Sequence, residues 1–371
     1  MNRFVALLFL ILFPIIVFAQ SDAEFYNRAI SKLKIGDLKG ALEDFNQSIK
    51  LDPDYAPAYT NRGAIKYNLG DTKGALSDLN KAIELDPNDA KAYSNKAAIL
   101  NDLGNYEQAL IDATKSTKLD ANYSKAYSNR GVAYSGLGKS DQAIKDFEQA
   151  LVLNPNNVEA YYNLGTENGV IGDSKSAVKY LSKAVELNPN NIDAYYNLGL
   201  NYDKLGDQSN ALKSYDKTIV LNPNYYKSYV NRGLVKFELG DIKGSLDDYD
   251  RAIEIKPSYQ AYYSRGISNA KLENYQDSVN DYTKALELNP DLLLAYIKRG
   301  VDKARLDDYT GALSDFEKAI ELEPGYAPAY FNMAIININN GQNDIACKNL
   351  YKSKQLGFNQ SEKLIKEYCS E

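Results

Sequence analysis

The side chains that most often carry catalysis or hold metals are scarce in this chain. It has no histidine and no tryptophan, two cysteines, 49 carboxylates and 43 lysine and arginine residues. Without imidazole there is no Ser-His-Asp or Cys-His arrangement and no histidine metal ligand. Cys347 and Cys369 are too few for a four-thiolate zinc or iron–sulfur site. No metal and no cofactor are expected. What remains open is carboxylate chemistry, in which two acids bracketing a substrate would stand outside any regular pattern. The carboxylates, serines and lysines instead recur at a fixed spacing, and no acid is expected to stand apart from it. P-loop, dinucleotide fingerprint and nucleophile elbow are all missing. The chain reads as non-enzymatic. Its net charge of −6 disfavours a counterion-release grip on phosphate backbones, so nucleic acid is not an expected partner.

The elements that position these residues follow from the spacing. A length of 371 residues would ordinarily suggest two or three globular domains, but one block recurs with a period of 34. Ten copies begin at Asp22, Ala56, Ala90, Ser124, Val158, Ile192, Tyr226, Tyr259, Leu293 and Ala327, the seventh being one residue short. The fourth position is aromatic in every copy, from Phe25 and Tyr59 to Tyr296 and Tyr330. The eighth is always glycine or alanine, as at Ala29, Gly63 and Gly300, and the twentieth alanine or serine, as at Ala41, Ser245 and Ala346. Small residues at two such places let two helices approach closely, and the fourth-position ring is expected to fill the space beside them. A Gly-Asp turn (Gly36-Asp37, Gly70-Asp71, Gly172-Asp173, Gly206-Asp207, Gly240-Asp241) separates the helices, and prolines such as Pro53, Pro87 and Pro324 close most copies.

On these residues the chain resembles the tetratricopeptide repeat family over residues 20–360. The resemblance implies an all-α fold, a right-handed superhelical solenoid of tandem helix-turn-helix repeats. It also implies that the first helix of each repeat lines a concave groove for protein or extended peptide segments. Residues 361–371 carry a helix start signal and an amphipathic pattern, and read as a C-terminal capping helix over the last stacking face.

Comparison among the repeats exposes a pairing. Position seven is basic in seven copies (Arg28, Arg62, Lys96, Arg130, Arg232, Arg265, Arg299). Position 23 is aspartate in the same seven (Asp44, Asp78, Asp112, Asp146, Asp248, Asp281, Asp315). The other three carry Leu164, Leu198 and Met333 opposite Tyr180, Ser214 and Asn349. An ion pair bridging the two helices of one repeat is expected, structural in purpose.

In the family, groove-facing residues lie at positions 2, 5, 6, 9, 12 and 13. Position six is asparagine in eight repeats, Asn27, Asn61, Asn95, Asn129, Asn163, Asn197, Asn231 and Asn332, broken by Ser264 and Lys298. An amide offers a donor and an acceptor to a peptide main chain, and the row resembles the asparagine ladder of O-GlcNAc transferase; packing between helices is the alternative reading. Position five is small in Thr60, Ser94 and Ser128 but large in Tyr162, Tyr196, Tyr263, Ile297 and Phe331, joined by Phe237 at position twelve. These apolar side chains are candidate anchors for a partner between the fifth and tenth repeats, the alternatives being contact with neighbouring helices or self-association. The lysines and asparagines with which some members hold a chaperone's terminal carboxylate are absent at positions five and nine.

At the N-terminus, Arg3 precedes the almost wholly apolar stretch Phe4–Phe18, with Val17 and Ala19 at the −3 and −1 places of a cleavage site. Residues 1–19 therefore read as a signal peptide, leaving no integral membrane segment after cleavage and a periplasmic or extracellular protein. In that setting Cys347 and Cys369, on adjacent elements, are expected to form a disulfide stapling the cap, with two free thiols as the other outcome. The function expected is a protein–protein interaction scaffold in a cell-envelope or secretion assembly. The alternative is a factor binding glycan or peptidoglycan through a tyrosine-lined groove.

Overall fold

The computed structural model describes residues 21–369, so the expected signal peptide lies outside the described residues. These residues form α-helices and no strand. The first helices of the ten repeats are α1 (Asp22–Lys34), α3 (Ala56–Asn68), α5 (Ala90–Asp102), α7 (Ser124–Gly136), α9 (Val158–Val170), α11 (Ile192–Lys204), α13 (Tyr226–Glu238), α15 (Tyr259–Lys271), α17 (Leu293–Arg305) and α19 (Ala327–Asn339). The second helices are α2 (Leu38–Leu51), α4 (Thr72–Leu85), α6 (Tyr106–Leu119), α8 (Ser140–Leu153), α10 (Ser174–Leu187), α12 (Gln208–Leu221), α14 (Ile242–Ile255), α16 (Tyr275–Leu288), α18 (Tyr309–Leu322) and α20 (Asn343–Gln355). A final helix, α21, spans Ser361–Tyr368. The chain divides into two compact bodies between Glu167 and Asn168, within α9.

In five of the ten repeats the turn between helices follows from two residues. Gly36, Gly70, Gly172, Gly206 and Gly240 sit at φ of 75–88°, the left-handed conformation that ends a helix and that glycine adopts without strain. The next aspartate caps the following helix: Asp37 accepts from the Gly40 amide at 2.9 Å, and Asp241 from that of Gly244 at 2.9 Å.

Close approach of the two helices of a repeat rests on positions 8, 20 and 24. The residues at position 20 have zero exposure wherever alanine stands there, and Ser245 and Ser278 do too. The ring or branch that fills the space against position eight comes from position 24, not from position four. Phe45, Phe147, Tyr215, Tyr249, Tyr282 and Phe316 are all at most 1% exposed. A β-carbon on Gly199 would lie 2.4 Å from the Tyr215 ring, and one on Gly131 2.6 Å from that of Phe147. Glycine at position eight is thus the space that position 24 occupies. The fourth-position rings, which sequence reasoning placed in this gap, are mostly half-exposed and lie under the arginines described below.

Within each body the first helices of successive repeats touch one another: α3 with α5, α5 with α7, α11 with α13, α13 with α15, and α17 with α19. No pair of successive second helices makes a comparable contact among the described residues, so the first-helix row is the closer-packed side of the stack and lines its groove. At the C-terminal end α21 begins 34 residues after α19 and takes the place of a further first helix. Its Leu364 and Ile365 cover Ala346 and Leu350, and Phe331 meets Phe358 with ring centroids 5.0 Å apart. Cys347 and Cys369 are joined in a disulfide, Cα atoms 5.6 Å apart.

Candidate binding groove

Cations are the first candidates for ligand contact, and those at position seven are already committed. All seven position-seven bases pair with the aspartate of their own repeat. Distances are 2.5 Å for Arg28–Asp44, 2.7 Å for Arg62–Asp78 and for Arg130–Asp146, 3.3 Å for Lys96–Asp112, and 2.6 Å for Arg265–Asp281 and for Arg299–Asp315; Arg232 pairs with Asp248 likewise. Five guanidinia extend further, to the second helix of the preceding repeat: Arg62 to Asn46, Arg130 to Thr117, Arg232 to Asp216, Arg265 to Asp250 and Arg299 to Thr283. Six lie over the ring at position four, 4.9–5.6 Å from its centroid. One arginine therefore ties three elements together. Lysines at position eleven, which sequence reasoning passed over, add a second cation to the same carboxylate in four repeats, through Lys32, Lys66, Lys236 and Lys303.

The depth of each site decides how its aspartate titrates. Hydrogen bonds from Arg28 hold the Asp44 carboxyl below the usual range. Asp281 is pushed up instead, because its burial outweighs the pull of Arg265.

The asparagine row stands on the groove side, and three of its members spend their donors on neighbours. Asn61 donates to the Tyr26 hydroxyl at 3.2 Å and the Pro57 carbonyl at 2.8 Å. Asn129 donates to the Ser94 carbonyl and hydroxyl, both at 2.9 Å, and Asn231 to the Tyr196 hydroxyl at 3.0 Å. Apart from Pro57, in the helix of Asn61 itself, the partner is position five of the preceding repeat. Asn27 is exposed, while Asn95, Asn163, Asn197 and Asn332 are partly so.

The position-five aromatics also have internal contacts. Tyr196 meets Tyr215 at 6.2 Å and Tyr225 at 5.1 Å, and Tyr263 meets Tyr282 at 5.8 Å. Tyr162 is half-buried in the first body. Burial holds the Tyr196 hydroxyl above the usual phenol range. Tyr196 retains an open side, where it borders a cleft of about 220 Å³ with Tyr226, Lys227, Val230 and Asn231.

A larger cleft of about 470 Å³ lies between α13, α15 and α17. Its floor is Phe237, Ile267, Ile297 and Val301, its rim carries Lys271, Lys298 and Arg305 with Glu273, and the buried Asp302 also lines it. A second cleft of about 290 Å³ adjoins it across Val301 and Arg305, and reaches Asn332 and Ile335 on α19. Phe237, Ile297 and Asn332 among the sequence candidates thus converge here.

Two otherwise uniform positions fail in the repeats around this cleft and nowhere else. Position six departs from asparagine only at Ser264 and Lys298. Position fifteen departs from glycine only at Glu273 and Asp307, which keep the left-handed backbone at φ of 62° and 60°. A residue with a β-carbon costs about 1–2 kcal/mol in that conformation. Both departures fall in repeats eight and nine. Strained residues of this kind cluster at functional sites.

Two buried acids also stand outside the repeat, contrary to the expectation that none would. Glu167 and Asp302, both at position ten, are 3% and 5% exposed. Ser135 donates to Glu167 at 2.5 Å, and Ser278 to Asp302 at 2.6 Å. Burial raises the Asp302 carboxyl, against lowering by Ser278, Arg305 and Lys298. Each acid has its own serine in its own body. Among the described residues no group of acids and cysteines is arranged to hold a metal ion.

Stacked helix pairs with a groove along the first-helix row define a helical-repeat protein. Family models described as tetratricopeptide repeat match residues 56–89, 124–157, 192–225 and 259–292, 79–111 and 316–348, and 226–259. One described as TPR repeat matches 32–70 and 171–206. The chain belongs to the tetratricopeptide repeat family. No curated protein matches it in sequence. Among solved structures it is similar to YrrB, a TPR protein with an unusual peptide-binding site, at 30% identity over 49% of this chain and 94% of that one, with a TM-score of 0.44. It is similar to MamA at 30% identity over 44% and 94%, TM-score 0.41, and to yeast Tom70 at 18% identity over 93% and 87%, TM-score 0.43.

Proposed function

We propose that this protein is a non-enzymatic scaffold that binds an extended segment of a partner protein along its first-helix groove, centred on the cleft between α13, α15 and α17. The observation that carries the reading is that the broken positions fall in repeats eight and nine, and that two of them, Glu273 and Lys298, line that cleft. In a repeat protein, a residue needed for stacking recurs with the period. One that departs from it, on the groove side and at a cost in backbone strain, is retained for something else. An apolar floor with a polar rim on rigid helices is the build of an interaction hot spot.

The same reading has the protein exported, periplasmic or extracellular, and serving a cell-envelope or secretion assembly. The N-terminal signature supports this, and no helix among the described residues is long and apolar enough to cross a membrane. A second reading, a glycan or peptidoglycan ligand, draws on the cleft at Tyr196 and Tyr226, where Asn231, Ser258 and Gln260 supply hydrogen-bonding groups beside aromatic faces.

Affinity capture on the intact chain, with mass spectrometry and a parallel glycan column, tests the proposal. A specific protein partner that is lost on Phe237→Ser is expected. Retention on the glycan column with no protein partner would overturn it in favour of the second reading.

A further inference from the structure

The cleft between α13, α15 and α17 is marked by the cations that line it as well as by its apolar floor. The chain carries a net −6, and the repeats pair their position-seven cations with an aspartate. Lys271, Lys298 and Arg305 do otherwise. None of the three lies within ion-pair distance of a carboxylate among the described residues, and all three border the cleft. Arg305 is held there by a neutral group: its Nη1 donates to the Tyr275 hydroxyl at 2.9 Å, and its guanidinium lies 5.1 Å from the centre of that ring. A phenol fixes the guanidinium in place without a carboxylate at ion-pair distance, Asp302 acting on it from further away.

Against these cations the cleft sets two acids. Asp302 is turned inward onto Ser278, 2.6 Å away, and Glu273 stands on the strained turn. The lining therefore carries one positive charge in excess. That excess matches a single carboxylate, and a dianion such as phosphate would meet Glu273 and Asp302 with its second charge unbalanced. Beside the cations the floor is apolar and half-buried, so a ligand must bring an apolar side chain to the same place.

We propose that this cleft takes a partner segment in which a carboxylate stands next to an apolar side chain. The carboxylate meets Lys271, Lys298 and Arg305, and the apolar side chain packs on Phe237, Ile267 and Val301. The planar fork of Arg305 and the two flexible ammonium groups together suit a carboxylate approached along the groove. This rests on the groove's binding protein segments, and adds which segments it selects. A side-chain carboxylate and a chain-terminal one share this chemistry.

The test is binding of the intact chain to a synthetic array of random dodecapeptides, printed once with amidated and once with free C-termini. Bound peptides are expected to be enriched in Asp or Glu adjacent to Leu, Ile or Phe. Affinity for the best of them should fall about tenfold in the Lys271→Glu, Lys298→Glu double variant, with loss concentrated at low salt. Enrichment on both arrays assigns the side-chain carboxylate, and enrichment only on free ends the terminal one. Helical circular dichroism of the variant equal to that of the parent keeps the loss from being one of folding. Bound peptides with no acidic preference, or indifferent to the charge reversal, overturn this inference while leaving segment binding intact. No peptide bound above background overturns both.

Discussion

Repeat two and repeat nine share one scaffold and differ in what their side chains are for. In repeat two Arg62 and Lys66 both close on Asp78, Gly70 makes the turn, and Asn61 bonds back to Tyr26. Each of these residues recurs elsewhere in the chain and is explained by stacking. Repeat nine keeps the same ion pair, Arg299 and Lys303 on Asp315. Its first helix and turn, however, place Lys298 where the asparagine stood, Asp302 in the interior, Arg305 on the Tyr275 hydroxyl, and Asp307 in a left-handed turn. The residues that tie the two helices of the repeat together are preserved, and others along its first helix and turn are replaced. Period marks structure, and on the proposed function loss of period marks the binding site.

The regular lattice gives the largest effects. Asp146→Asn leaves Arg130 partly buried with Thr117 as its remaining hydrogen-bond partner on a neighbouring repeat, and should cost about 3–5 kcal/mol. Arg130→Leu should cost less, and the double variant less than the sum. Strictly additive losses in chemical denaturation would refute the pairing. Next is the terminal staple. Replacing Cys347 and Cys369 by serine removes a link between residues 22 apart, with an expected loss of about 2–4 kcal/mol. Hydrogen exchange should localise the loss to α20 and α21, and a uniform rise across all repeats would argue against an end-specific role.

Smaller and opposite in sign is the strained turn. Glu273→Gly and Asp307→Gly should each stabilise by about 0.5–1 kcal/mol, since relief of the left-handed conformation exceeds the added entropy of glycine in the unfolded chain. Gly70→Ala in the regular repeat should destabilise by a similar amount. Thermal melts of the three variants decide this, and a destabilising Asp307→Gly would mean that the turn carries no strain.

The smallest effect concerns pH and sets Asp44 against Asp302. Asp44 titrates below its unfolded value, so its stabilising contribution is present above the unfolded pKa and lost as pH falls through the lower, folded one. Asp302 titrates above its unfolded value, so its contribution is full below the unfolded pKa and lost as pH rises through the folded one. Asp44→Asn should therefore destabilise at pH 7, and progressively less as pH drops below about 4. Asp302→Asn should gain stability relative to the parent as pH rises from about 4 towards neutrality. Parallel profiles for the two variants in urea titrations would contradict the assignment.

Much of this was legible in the sequence, because ten copies act as their own comparison. The fold, the helix boundaries and the seven ion pairs follow from positions that agree or vary together, as Arg130 and Asp146 do against Leu198 and Ser214. The position-24 rings were missed because that position alternates among Phe, Tyr, Leu and Ala; its demand is for volume matched to the glycine at position eight. Glu167 and Asp302 were missed because each is a rare departure, and a rare acid in a helix reads as a solvated one until its burial is known. The cleft itself depends on the depth between three first helices 33 and 34 residues apart, which spacing does not convey. Even so, Ser264 and Lys298 broke the asparagine row in plain view, and the missing glycines at 273 and 307 were the second signal in the same two repeats.

The central claim is that the partner seats on the rewritten repeats and not on the regular ones. Ala270 in repeat eight and Tyr67 in repeat two hold the same position, the twelfth, on the groove side. The most direct measurement places the photo-crosslinking residue benzoylphenylalanine at 270 or at 67 and irradiates each variant with the captured partner or the best array peptide. A covalent adduct is expected from position 270 and none from position 67. Equal crosslinking from both, or an adduct from position 67 alone, would contradict the claim.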